Sequence, residues 1–219
     1  MKNIISLILI SCLIFSCKKD STTDQTPGPT NQSDNILYHS FSPNISLHSI
    51  LSFVYNPDPL SCGNTPVPTD SSIDYNLNLN ADSVNDFVIM VRTTSSTGGS
   101  IHCANETYTI SINAINADDS INFTSTPGVY PVPIQYDTTS NNVINQTGSW
   151  QNQIGTLSLT GQGVNLPFNL HFTDSYIGIK IKNNFGWIHI APDSLNGIII
   201  KDYAINLTEY NSIKAGQKN

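Results

Sequence analysis

Apolar and polar residues alternate along several short stretches of the chain, and the spacing typical of an amphipathic helix is nearly absent. Successive side chains of a β-strand point to opposite faces, so this alternation predicts strands with one face in a core and one face in water. The alternating stretches are residues 73–79, 108–114, 157–159, 168–172 and 177–181. Continuous apolar runs at residues 87–91 and 198–200 predict strands that are covered on both faces.

Turn-forming residues separate these stretches. Gly, Pro, Asn and Asp favour turns through their backbone freedom, their fixed φ or their own side-chain hydrogen bonds. They cluster at residues 57–59, 97–99, 126–128, 161–163, 183–184 and 196–197. Roughly eight to eleven short strands at this spacing predict an all-β fold, a single antiparallel β-sandwich domain over residues 36–219. A closed barrel is the alternative.

The first sixteen residues have the composition of a signal peptide. Lys2 supplies a short positive region, and the twelve residues after Asn3 are mostly apolar. That run is too short to span a bilayer, which needs about 20 residues. We therefore assign residues 1–16 to a signal peptide. The next segment, residues 17–35, is rich in Ser, Thr, Asp and Pro, which predicts a flexible linker with an r.m.s. length of roughly 25 Å.

The sequence Leu-Ile-Phe-Ser-Cys at residues 13–17 resembles a bacterial lipobox, in which a small residue precedes the cysteine that receives the lipid. The resemblance implies cleavage before Cys17 and a lipid anchor on its thiol, so the chain would be an outer-membrane lipoprotein of the cell envelope. The charged residues Lys18, Lys19 and Asp20 partly match a signal for export to the cell surface. Two alternatives stay open: an ordinary secretory signal with a nearby cysteine, and an N-terminal membrane anchor.

Charge excludes one class of partner. The chain has 9 basic and 16 acidic residues, a formal charge of −7, and loss of Lys2 with the signal peptide leaves eight basic against sixteen acidic residues. Neutralising the phosphates of duplex nucleic acid requires a basic face, so we expect no nucleic-acid partner. Charged residues make up only 11% of the chain, and its polarity comes instead from hydroxyls and 26 asparagines. This composition fits an exported β-rich protein.

Two cysteines remain in the body once Cys12 and Cys17 are assigned to the N-terminal segment. In an exported domain, Cys62 and Cys103 most simply form one disulfide. This bond would stabilise the fold by roughly 4 kcal/mol at most, because closing the loop between the two cysteines restricts the unfolded chain. The alternative is a metal or redox site with His102, but two cysteines and one histidine are one ligand short of a closed zinc site.

Residues 78–86 resemble acidic calcium loops written D-x-[DN]-x-D-G-x-x-D. Oxygen-bearing side chains recur at the first, third, fifth and ninth positions, with Val84 at the seventh, and this spacing can wrap a hard cation. The candidate ligands are Asn78, Asn80, Asp82, Val84 and Asp86. Asn at the first position and Ser at the sixth depart from the pattern, so any bound calcium would be held weakly. The alternative is a β-hairpin turn rich in Asn and Asp.

No catalytic motif is present. The five histidines form no ligand cluster, and the chain lacks the nucleophile elbow G-x-S-x-G. Asp118 and Asp119 are the only adjacent acids, and their polar context predicts a solvated turn. A carboxylate pair for glycoside chemistry that meets only in the fold stays open. Trp187 has the apolar neighbours of a buried residue, whereas Trp150 lies beside Gly148 and Ser149 and is a candidate for exposure.

The C-terminal third has a familiar order of motifs: Tyr-Ile-Gly-Ile-Lys at 176–180, Phe-Gly-Trp-Ile at 185–188, Ile-Lys-Asp-Tyr-Ala at 200–204 and Ile-Lys-Ala-Gly at 213–216. It resembles the closing segment of many secreted bacterial β-sandwich proteins of unknown function. The segment at 74–87 resembles a strand-turn-strand of the same proteins. The resemblance implies an extracytoplasmic β-sandwich and transfers no catalytic residue.

These observations favour a lipid-anchored, non-enzymatic module for binding, adhesion or scaffolding. Its expected partners are the membrane, reached through the lipid, and an extracellular glycan or an envelope protein. The alternatives are a hydrolase that acts on polysaccharide and an accessory subunit of an envelope complex. No cofactor is expected beyond weakly bound calcium.

Overall fold

The computed structural model describes residues 35–49, 52–55, 66–97, 104–123, 133–136, 142–162, 172–193 and 197–219. All pairings between strands in these ranges are antiparallel, and the ranges contain no helix. The strands are β1 Ile36–His48, β2 Ser52–Tyr55, β3 Pro66–Thr69, β4 Ser71–Leu77, β5 Phe87–Thr97, β6 Ala104–Ala114, β7 Asp119–Phe123, β8 Gln135–Tyr136, β9 Val143–Ile144, β10 Ser149–Gln151, β11 Gly155–Gln162, β12 Ser175–Ile181, β13 Asn184–Pro192, β14 Gly197–Asn206 and β15 Ile213–Lys214.

Two sheets form the body of the domain. The larger has seven strands in the order β1-β14-β13-β12-β7-β10, with β8 also paired to β12. The smaller has four strands in the order β11-β6-β5-β4. Two short ribbons, β15-β9 and β2-β3, complete the described strands. The two main sheets remain separate in the described ranges, which confirms the predicted all-β sandwich rather than the barrel.

The main core lies between the two sheets. Alternation along β12 places Ile177, Ile179 and Ile181 in this core, and Ile110 and Ile112 of β6 belong to the same cluster from the smaller sheet. All five side chains are 4% exposed or less. Because burying one such side chain contributes about 1.5–3 kcal/mol, this layer supplies the main drive for the two sheets to associate.

A second apolar cluster covers the outward face of the larger sheet. It contains Phe185 and Trp187 of β13, which are fully buried, together with Ile144 of β9 and Ile213 of β15. The β15-β9 ribbon and the end of the chain thus cover the face that a simple sandwich would leave in water. The predicted burial of Trp187 is confirmed.

Some predictions from the apolar pattern are corrected. Ile73 was expected on the core face, but it is 38% exposed because β4 is an edge strand of the smaller sheet. Val88 and Ile199 are only half-buried, so the two continuous apolar runs are not fully covered on both faces. Residues 168–171 and the N-terminal segment 1–34, which includes Cys17, lie outside the described residues, as do Cys62 and Cys103.

Several loops meet at one end of the sandwich, which we call the loop end. In the smaller sheet Leu77, Phe87 and Ala114 form one row across three strands, so the loops at 78–86 and 115–118 leave from the same end. Asn116 Nδ2 donates to Asn85 O at 3.0 Å and to Asp119 Oδ2 at 2.7 Å, which ties these loops to the larger sheet. Three further segments also leave their strands at this end of the two sheets: 152–154, 182–183 and 207–212.

Candidate functional site

An open groove with a volume of about 610 Å³ lies where the larger sheet meets the loop end. Three parts of the chain line it. They are the β6–β7 loop with the start of β7, strand β10 with Asn152 directly after it, and the β12–β13 hairpin with the end of β12. The lining residues are Ala117, Asp118, Asp119, Ser120, Trp150, Asn152, Lys180, Lys182 and Asn183. One aromatic ring, two cations, two acids and two amides therefore face a shared space.

Trp150 is held rigidly in the wall of the groove. It lies on β10, paired with Asn122 of β7. Its indole Nε1 donates to Asn145 O at 2.9 Å, and its ring packs against Phe185 with 5.4 Å between centroids. The side chain is only partly buried. A fixed, half-covered indole offers an apolar surface on which a ligand ring can stack at low entropic cost.

Lys180 and Lys182 supply positive charge to the groove. Lys180 alternates with Ile179 and Ile181, which belong to the main core, so the strand places it on the outward face. Lys182 follows at the hairpin turn with a φ of 53°. Neither ammonium forms an ion pair within the part of the chain that the structure describes. Both therefore remain available to an anionic group.

The two acids of the groove differ in their surroundings. Asp118 is exposed, as the sequence predicted for a solvated turn, but Asp119 is in β7 and only 2% exposed. Burial raises the pKa of Asp119, although hydrogen bonds from the Asn116 side chain and the Lys182 backbone oppose this effect. Asn152 Nδ2 donates to Asp119 O at 2.9 Å. Asp119 therefore acts as a structural link between the loops, and Asp118 is the acid that a ligand can reach.

The predicted cation ligands all lie in the β4–β5 loop. Several of their side-chain oxygens already accept hydrogen bonds from backbone N–H groups of the loop. Asn80 Oδ1 accepts from the Asp82 backbone N–H at 3.0 Å, and Asp82 Oδ1 accepts from that of Val84 at 2.9 Å. Asp86 Oδ2 accepts from the Leu79 N–H at 2.7 Å. Side-chain hydrogen bonds of this kind let Asn and Asp form the turn without a cation.

Asp86 is the most buried acid of this loop, at 2% exposure. Burial raises its pKa, the Leu79 N–H opposes the shift, and the negative charges of Asp119 and Asp82 add to it. A cation would relieve this repulsion, and the loop hydrogen bonds already relieve part of it. Asn78 is half-buried, and Val84 is 50% exposed with its backbone N–H engaged by Asp82.

A polar network that the sequence did not reveal lies on the outward face of the larger sheet. Asp202 is its centre: Tyr38 OH donates to Oδ2 at 2.9 Å, Lys218 Nζ donates to the same oxygen at 3.0 Å, and His189 Nδ1 lies 2.8 Å from Oδ1. His189 Nε2 lies 2.7 Å from Asp174 Oδ1. The members are as much as 180 residues apart in sequence, so no local motif marks them.

Lys201 and Asp202 are consecutive residues of β14, and a β-bulge explains how both join this network. Asp202 pairs with His189, but Ile200 already pairs with Ile190, so Lys201 is the extra residue. A bulge re-aims side chains at such a point. Lys201 Nζ donates to Asp174 Oδ2 at 2.5 Å. The network ties the chain terminus at Lys218 to three strands and is a structural clasp.

Ser46, His48 and Asp193 form a second cluster whose residue types match a catalytic triad. Asp193 Oδ2 lies 2.6 Å from both Ser46 Oγ and His48 Nε2, and the serine oxygen lies 2.9 Å from the same ring nitrogen. In a triad the histidine uses one nitrogen for the serine and the other for the acid. Here Nε2 meets both groups and the serine hydroxyl donates directly to Asp193, so the cluster lacks the geometry in which the imidazole removes the serine proton while the acid holds its other nitrogen.

No family model, curated protein or solved structure matches the chain in three comparisons. No helix in the described ranges has the length and apolar character needed to span a bilayer. The described residues also contain no group of three or more His, Cys, Asp or Glu side chains placed to hold a metal ion. Function is therefore inferred from the chemistry of the groove and from the features of the sequence.

The calcium hypothesis predicts a higher melting temperature in calcium than in chelator. A site of about millimolar affinity would stabilise the fold by about 1.4 kcal/mol in about 10 mM calcium, a rise in Tm of about 3–5 °C for a domain of this size. Asp86→Asn should abolish the rise, whereas Asp74→Asn, an exposed acid on β4, should preserve it. No rise in the unsubstituted protein would reject the site.

We expect Asp202→Asn to lower the free energy of unfolding by about 3 kcal/mol at pH 7, because it removes the negative charge and one of the two oxygens that His189 and Lys218 contact. Burial opposes ionisation of Asp202, but hydrogen bonds from Lys218, Tyr38 and His189 outweigh it and lower its pKa. The carboxylate therefore stabilises the fold above the ordinary pKa of an aspartate, and this contribution is lost as the pH falls through the lowered pKa.

Denaturant unfolding at a series of pH values tests this expectation. The difference between wild type and Asp202→Asn should shrink below about pH 4. The matched control Asp74→Asn removes an exposed carboxylate from the smaller sheet and should change stability by less than about 0.5 kcal/mol. Equal stability of the Asp202→Asn variant and wild type at pH 7 would contradict the clasp.

Proposed function

We propose that this protein is a lipid-anchored module of the cell envelope that binds a saccharide without cleaving it. The anchor is Cys17, on the basis of the apolar segment and the lipobox-like sequence before it. The proposed location is the outer membrane, with the body carried on the linker 17–35. The groove is the proposed saccharide site, and the Trp150 ring beside two lysines that form no ion pair in the described ranges is the observation that carries the proposal.

The groove has the chemistry that a saccharide requires. The C–H face of a sugar ring is apolar and can pack against an indole, while its hydroxyls need hydrogen-bonding partners at the edge. Trp150 supplies the apolar surface, and Asn152, Asn183 and Asp118 supply amide and carboxylate groups. The volume of about 610 Å³ suits a short saccharide segment.

The lysines point to an acidic saccharide. Lys180 and Lys182 flank one groove, and a carboxylate on the ligand would form charge-assisted hydrogen bonds with them. The body as a whole is acidic, so long-range attraction would contribute little. Recognition of the acid would depend instead on the short-range geometry of these two side chains.

A polysaccharide hydrolase is the second candidate, and one observation favours it: Asp118 and Asp119 both line the groove. Glycoside hydrolysis normally needs two carboxyl groups that reach the scissile bond. Asp119 is 2% exposed and accepts hydrogen bonds from Asn116 and the Lys182 backbone, so it is not free to contact a ligand. Binding without cleavage is therefore the function that the groove supports better.

The groove predicts that the double variant Lys180→Gln, Lys182→Gln loses affinity for oligosaccharides that contain uronic acids. Loss of charge-assisted bonds worth about 1.4 kcal/mol in total would weaken binding by about tenfold. Calorimetric titration should show this loss, and the matched control Arg92→Gln, on the smaller sheet, should bind as the wild type does. Equal binding by the double variant would contradict the site, and release of new reducing ends would favour the hydrolase.

The anchor predicts that radioactive palmitate labels the protein in cells of a lipoprotein-producing Gram-negative host. Cys17→Ala should abolish the label and release the protein from the membrane fraction, whereas Cys12→Ala should leave the label at Cys17 unchanged. An unlabelled wild-type protein, or one recovered in the culture fluid, would overturn the proposed location.

A further inference from the structure

We infer that the loop end is a contact surface for a phospholipid bilayer, so that the anchored body rests on the membrane by its loops. The inference rests on the proposed lipid anchor and adds a second, non-covalent contact to it. Because Asp118, Asn152 and Lys182 of the groove belong to this end, the contact would place the groove at the membrane surface, where lipid and saccharide would compete for it. Three observations carry it: the apolar side chains exposed at this end, the point where the chain enters the body, and the charges around the loops.

Exposed apolar side chains collect at the loop end. Seven large apolar residues are exposed among the described residues, and five of them lie in loops or strand flanks of this end. We call these five the apolar rim: Val84 at 50%, Ile115 at 45%, Ile154 at 50%, Leu207 at 43% and Tyr210 at 55% exposure. Exposed apolar side chains that collect at one end of a domain mark a contact surface, whereas scattered ones need no explanation.

The loops that carry the rim are fixed by hydrogen bonds to one another. Asn116 donates to Asn85 O, Asn152 donates to Asn116 O, and the Tyr210 N–H donates to Asn183 O at 2.9 Å. The rim residues adjoin these bonded positions. The surface is thus presented as a set on a rigid frame, which lowers the entropic cost of contact.

The chain enters the body at the same end. Asn35 O accepts the Leu207 N–H at 2.7 Å, and Ile36 of β1 pairs with Asn206 at the end of β14. Residues 17–35 would join a lipid on Cys17 to this point, so the tether would attach at the loop end and not at the opposite end of the sandwich.

The charges at this end favour a zwitterionic lipid surface. Asp82, Asp118 and Glu209 are exposed in the loops that carry the rim, and Lys182 of the β12–β13 hairpin is an exposed cation at the same end. An anionic surface would be repelled by this excess of acids, so contact depends on the apolar rim. We expect no gain in contact from anionic lipid and little sensitivity to salt.

Added tryptophan probes in the mature lipidated protein test the inference. Tyr210→Trp and Ile154→Trp place probes in the rim, and Thr94→Trp places a matched probe at an exposed position of β5, seven residues and about 23 Å along the strand from Phe87. Each variant is reconstituted in phosphatidylcholine vesicles with and without lipids brominated in their acyl chains. The unsubstituted protein gives the background of Trp150 and Trp187.

Brominated lipid should remove the added fluorescence of both rim probes and leave that of Thr94→Trp unchanged. Flotation of the same vesicles reports the anchor separately. If the protein floats with the vesicles but neither rim probe is quenched, the membrane contact is overturned while the anchor stands. If it does not float, both fail. Cross-links between two copies through residue 210, with no quenching, would assign the rim to self-association and also overturn the contact.

Discussion

Burial of the larger sheet on both faces is the constraint on which the rest of the molecule depends. One face packs its isoleucines against the smaller sheet, and the other carries Phe185 and Trp187, which water would penalise if they were left uncovered. Covering that second face requires the chain after β14 to turn back and pair β15 with β9. The groove, the clasp and the loop end all lie along the margins of this covered face.

The same constraint explains why polar chemistry is found where it is. Near the loop end, Trp150 lies at the border of the second apolar cluster. One side of its ring packs against Phe185, and the side chain also lines the groove. Away from that end, Tyr176 stacks on His189 with 4.2 Å between ring centroids, so the apolar cluster passes directly into the polar network around Asp202. Buried polar groups must be hydrogen-bonded, and the network supplies these bonds with side chains from three strands and the chain terminus.

Local pattern predicted much of the fold and little of the groove. Alternation placed Ile177, Ile179 and Ile181 on the core face, because a strand's side chains alternate whatever its neighbours are. The pattern failed at Ile73, since only strand order reveals that β4 is an edge. The groove joins segments around 118, 150 and 181, and the clasp joins Tyr38 to Lys218. Such contacts depend on which distant strands pair, and local pattern does not show this. The bulge at Lys201 also interrupts the alternation of side chains between the two faces of β14, on which a prediction from sequence relies.

The position of β1 would have a mechanical consequence under the proposed anchor at Cys17. Among the described strands of its sheet, β1 pairs with β14 alone, and Ile36 at its start is the end that would continue into the proposed linker. Force transmitted from the membrane would therefore act on β1 first and tend to peel it from β14 one bond at a time. Tyr38, two residues into the strand, is held by Asp202 and Lys218 through its hydroxyl. The bonds of Tyr38 to Asp202 and Lys218 would therefore resist separation of β1 from β14 at the end where such a force arrives.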